Sequence, residues 1–135
     1  MTKAECDLHF PDDPHVAGDT MLLRRVPPRH FHLDENIGRV RPSSAAFEDD
    51  GPNDPMSVYV RSIVESEGRT PASLMTGHSD FALVEIRADF VRSQEQTVHP
   101  DGEDDSAHAV ICGPKPKSRR VLFAKQAAWV IRPPD

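Results

Sequence analysis

Short runs of alternating or continuous apolar residues, set apart by Pro, Gly and Asp, organise this chain. Phe81-Ala-Leu-Val-Glu-Ile86 is the most strand-like of them. Its apolar and β-branched residues suit a pleated, half-buried surface. Met56-Ser-Val-Tyr-Val60 alternates, and Met21-Leu-Leu-Arg-Arg-Val26 is a further strand that Pro27-Pro28 stops, because proline cannot donate to a ladder. Ala107 to Cys112 is almost continuously apolar, the pattern of a central strand covered on both faces. Gln96-Thr-Val98 and Val130-Ile131 add two shorter strands.

Helical signals are brief. Thr70-Pro71 opens a short helix that Gly77 ends, with Thr as cap and Pro at the first helical position. Ala88 to Gln94 predicts one or two turns. From Ser118 onward, Val121, Ala124 and Ala128 share one stripe, with Leu122 and Trp129 beside it, which predicts an amphipathic C-terminal helix. Arg29 to Phe47 mixes short apolar pieces with Gly38 and Pro42 and yields no clear element, whereas Glu48 to Pro55 (EDDGPNDP) is an acidic turn. Residues 1–20 are polar, rich in Pro and Asp and without period, and read as an arm leading into a domain at 21–135. The expected architecture is α+β: one compact domain, a small mixed sheet, short helices and one C-terminal amphipathic helix.

Composition narrows the function classes. The formal charge is −6, which argues against nucleic acid as the main partner and against anionic membrane. No run approaches membrane-spanning length. Cys6 and Cys112 are the two cysteines, far apart and in unlike settings, and read as free thiols of a reducing compartment. The N-terminal segment has no apolar core of a leader, so the cytoplasm is expected.

Four groups of residues could carry chemistry. Lys115, Lys117, Arg119 and Arg120 form a basic connector at the start of the C-terminal helix. Cations beside free backbone N–H groups make a reasonable anion pocket, although the Gly-Lys-Ser/Thr ending of a phosphate loop is missing. Their other reading is a solvated basic face. His30, His32 and Asp34 alternate, so on a strand they share one side and could hold a divalent metal; their other reading is plain loop residues. The string His-x-His-x-Asp also occurs in the metallo-β-lactamase superfamily, but Glu35 stands where that pattern wants another His.

Arg25 (or Arg24), Ser44 (beside Ser43) and Glu85 fall on or between successive strands, and this order is loosely similar to ADP-ribosyltransferase-like enzymes. The resemblance implies an Arg gripping NAD, a Ser supporting the nicotinamide ribose and a Glu orienting the ribose. Without it, Arg25 and Glu85 are solvent-facing strand residues and Ser44 belongs to a turn. His108, inside an apolar run, is either a hydrogen-bonded core histidine or a buried acid/base tuned by a carboxylate. Cys112 faces the same side but lies roughly 13 Å along the strand, too far for proton transfer.

Two functions follow. The first is a small acidic protein-interaction (accessory) module with another protein as partner and no cofactor, anchored by Tyr59, Phe90 or Trp129 where exposed. The alternative is a small enzyme acting on a nucleotide or NAD-like substrate.

Overall fold

The computed structural model describes residues 1–134, with Asp135 outside the described residues. Six strands form one antiparallel sheet: β1 (Met21–Val26), β4 (Met56–Val60), β5 (Ala82–Arg87), β6 (Thr97–Pro100), β7 (His108–Cys112) and β8 (Ala128–Ile131). Their spatial order is β6-β7-β4-β1-β5-β8. The architecture is α+β in one domain, and every pairing is antiparallel, a refinement of the mixed sheet expected. β7 is an inner strand one place from the edge. A separate hairpin joins β2 (Phe31–Asp34) to β3 (Arg39–Pro42) through a turn in which Gly38 holds φ +65.

Strand alternation sorts the side chains. One face carries Leu22, Val26, Met56, Val58, Val84, Ile86 and Ile111, all essentially fully buried. Helix α3 (Ala88–Ser93), helix α4 (Lys117–Gln126) and a 3-10 turn at Ser44–Phe47 cover this face. Phe47 and Phe90 both meet the α4 residue Phe123 edge-on. Helix α2 (Arg61–Ser66) and a 3-10 turn at Pro71–Met75 cover the other face, packing Val64 and Leu74 against Leu23 and Leu83. That cover lies over β1 and β5. Ser57 and Tyr59 of β4 and His108 of β7 stay only half-buried.

The ladder between β1 and β4 is short, pairing only Leu22 with Val60 and Leu23 with Tyr59. Beyond it, the Arg24 guanidinium takes over. It donates to the Ser57 carbonyl at 2.8 Å, to Ala46 and Glu48 carbonyls, and to Asp50 at 3.1 Å. Burial pushes this guanidinium below its ordinary pKa, with Asp50 opposing the shift.

Residues 1–20 hold more structure than an arm. Helix α1 (Lys3–His9) has a Thr2–Glu5 capping box, in which cap and third helical residue satisfy each other's amides. Cys6 and Cys112 are joined in a disulfide with Cα atoms 5.6 Å apart. This corrects the free-thiol reading: the fold brings a polar helix onto β7, a contact no local spacing encodes. Residues 10–13 then run along the outer edge of β6, where Asp13 N–H donates to Val98 O and Asp12 accepts from Val98 N–H. They cover an edge that would otherwise present free backbone groups.

The C-terminal helix also ends early. Ala127 is extended (φ −68, ψ 142), so Ala128 and Trp129 belong to β8 and the buried residues of α4 are Phe123 and Ala124. Tyr59, Phe90 and Trp129 are half-buried rather than exposed anchors. Among the described residues, no helix is long and apolar enough to cross a membrane.

Candidate functional site

The basic connector is spent on folding. The Lys115 side chain is 4% exposed and donates to Asp49 at 2.6 Å and to the Ile111 and Gly113 carbonyls. Burial lowers its pKa, with Asp49 opposing. Arg119 donates to Pro114 O, and Arg120 to Lys115 O and Glu48. Only Lys117 remains exposed and without an ion pair among the described residues. The expected anion pocket is therefore not formed: carbonyls and carboxylates already occupy the donors an anion would use.

The other two sets disperse. His30 sits in a 3-10 turn (Pro28–His30), not on the strand with His32 and Asp34. Asp34 accepts from Arg41 at 2.8 Å and His32 faces solvent. Among the described residues, no group of three His, Cys, Asp or Glu could hold a metal ion. Arg25 and Glu85 share a sheet face by register, but they line different depressions and Ser44 lines neither. Glu85 is held by Arg61 at 2.6 Å, and Ser44 begins the turn that covers the opposite face.

What the fold does assemble is a trough over the half-covered face of β4 and β7. Tyr59 and His108 are cross-strand partners with rings 5.6 Å apart, edge to face. The Tyr59 hydroxyl accepts from Arg25 at 3.0 Å, and the Arg25 guanidinium lies 5.3 Å from the Tyr59 ring centroid. His108 Nδ1 is 2.5 Å from Asp101 Oδ1, both side chains being less than one-fifth exposed. Ser57 donates to Asp50 at 2.6 Å. His108 is thus hydrogen-bonded to a carboxylate at the edge of the trough. Asp101 reaches it because the connection between β6 and β7 folds back, with Asp101 N–H donating to His108 O. Seven residues separate the two, so the pairing closes the base of the loop.

Asp105 in the same loop binds Arg69 through both oxygens, at 2.9 and 3.0 Å. That guanidinium, with the Ala107 N–H, holds the Asp105 carboxyl below its ordinary range.

A second feature lies at the other end of the sheet. The face of the β2–β3 hairpin that carries Phe31 and Pro42 also carries the cross-strand pair Leu33 and Val40. Its base is packed: Phe31 meets Trp129 edge-on, and the Trp129 indole N–H donates to Val40 O. Its tip is open, with Leu33 57%, Ile37 49% and Val40 40% exposed. Between hairpin, α4 and β8 lies a cavity of about 330 Å³ edged by Arg39, Lys125 and Arg132. No family model matches this chain, and no curated protein or solved structure shows significant similarity to it.

Proposed function

We propose that this chain is a protein-interaction (accessory) module that docks its partner on the apolar face of the β2–β3 hairpin. The observation that carries the reading is the exposed trio Leu33, Ile37 and Val40 on one small ribbon. Large apolar side chains exposed singly are ordinary, but clustered ones mark contact surfaces. A two-stranded ribbon is also marginal by itself, so covering its apolar face stabilises both hairpin and complex.

The rim supplies the partner's chemistry. Arg39, Lys125 and Arg132 edge the adjoining cavity, and none has an ion-pair partner among the described residues. The matching surface is an apolar anchor flanked by carboxylates, whose charges steer the encounter while the buried anchor supplies affinity.

Native mass spectrometry of gently purified, tagged protein from its own host tests this. The expected spectrum carries a stoichiometric second protein, absent when Leu33→Asp and Val40→Asp are introduced together. A complex that survives both substitutions would place docking elsewhere, and a lone chain would remove the reading.

A further inference from the structure

We infer that the trough over β4 is a binding site for a small zwitterion, an amino acid or short peptide bearing a free ammonium and a free carboxylate. It lies apart from the hairpin and stands independently of that docking face. Two depressions, of about 480 and about 300 Å³, share Asp50, Ser57 and Tyr59 and so form one trough across β4. Their sizes fall within the range of ligand cavities.

The two halves carry opposite uncommitted charge. In the larger half, Asp50 is engaged by Arg24 and Ser57, Asp101 by His108, and Asp105 by Arg69. Asp54, Glu103 and Asp104 also line it and have no ion pair among the described residues. In the smaller half, Arg29 is likewise exposed and uncommitted, Arg25 projects beside it, and the buried His30 Nδ1 has no hydrogen-bond partner. The floor between them is Tyr59, fixed by Arg25 and packed on His108.

A ligand of single charge gains at one end and meets its own sign at the other. A zwitterion gains at both, and an aromatic floor accepts the chain between.

The test is an NMR titration of labelled full-length protein with triglycine, N-acetyl-triglycine and triglycine amide. Triglycine is expected to shift the Tyr59 and His108 resonances saturably, and each cap to weaken binding by about tenfold or more through loss of one charge-assisted contact. Arg29→Gln should weaken triglycine yet leave the amide unchanged, because the carboxylate contact is already gone. Asp54→Asn with Glu103→Gln should weaken triglycine yet leave the acetylated form unchanged. These side chains are exposed and bear no core packing, so the variants fold. No saturable shift at Tyr59 by about 10 mM, a concentration at which even millimolar affinity saturates, overturns the inference. So does equal binding of the capped forms.

Discussion

Reducing the Cys6–Cys112 disulfide is the perturbation whose size follows most directly from the structure. The link joins residues 106 apart in sequence, so it closes most of the chain into one loop and removes that loop's closure entropy from the unfolded state. The chain-entropy relation gives about 4.8 kcal/mol near room temperature for a loop of this length. Part of that is offset in the folded state. Helix α1 has seven residues, of which only Cys6 is buried, and a helix this short does not persist without tertiary support. Once the link is cut, α1 melts and recovers entropy. Residues 10–13 stay on β6 through their hydrogen bonds to Val98 and Thr97, and Val16 stays in the core.

The expected net loss is about 3–4 kcal/mol, seen as a drop in Tm of roughly 10–15 °C for a chain of this size. Urea unfolding of the oxidised protein, the reduced protein and the Cys6→Ala/Cys112→Ala variant measures it. The variant and the reduced protein should agree in midpoint, and hydrogen exchange should show residues 1–9 unprotected while the sheet amides stay protected, lowered only by the global loss of stability. A loss under about 1 kcal/mol would refute the entropic argument. Sheet amides that lose more protection than the measured global loss explains would refute the claim that α1 detaches locally.

Other consequences are sharp enough to measure. Gly113→Ala should destabilise by about 1–3 kcal/mol through overpacking, because a Cβ there would sit 2.6 Å from the Glu95 carbonyl oxygen; calorimetry showing no change would contradict the packing. Arg24→Met should cost about 3 kcal/mol or more in urea unfolding, since it leaves the Ala46 and Ser57 carbonyls without their donor and Asp50 without its cation; a neutral outcome would mean water replaces the guanidinium. Asp105→Asn should lower stability at neutral pH and not in strong acid. The folded carboxyl is depressed by Arg69 relative to 3.8, so its contribution is present above that value and is lost as pH falls through the folded pKa. A gap between wild type and variant that stays constant from neutral pH down into strong acid would contradict this sign.

The parts of the fold legible in the sequence are those where burial writes a local period. Met21–Val26, Met56–Val60 and Phe81–Ile86 read as strands because one face or both must be apolar. Helix α2 did not read as one: Arg61 follows Val60 directly with no capping side chain, so strand and helix share one unpunctuated run. The hairpin carried its signal, since Phe31-His-Leu-Asp34 alternates and Gly38 turns the chain. Its exposed apolar positions obscured it, because they lack the contrast that a buried face provides.

Site residues were harder still. Lys115 and Arg120 read as free cations until the fold placed Asp49 and Glu48 beside them. The disulfide and the Tyr59–His108 contact depend on chain segments brought together only by the sheet. Sequence spacing contains neither.

The most direct test of the interaction reading is a photo-crosslinking residue placed at Val40 in the host, with Asp80 as an exposed control position. A discrete protein adduct is expected from Val40 and none from Asp80. No adduct at Val40, or the same adducts from both positions, contradicts docking on the hairpin face.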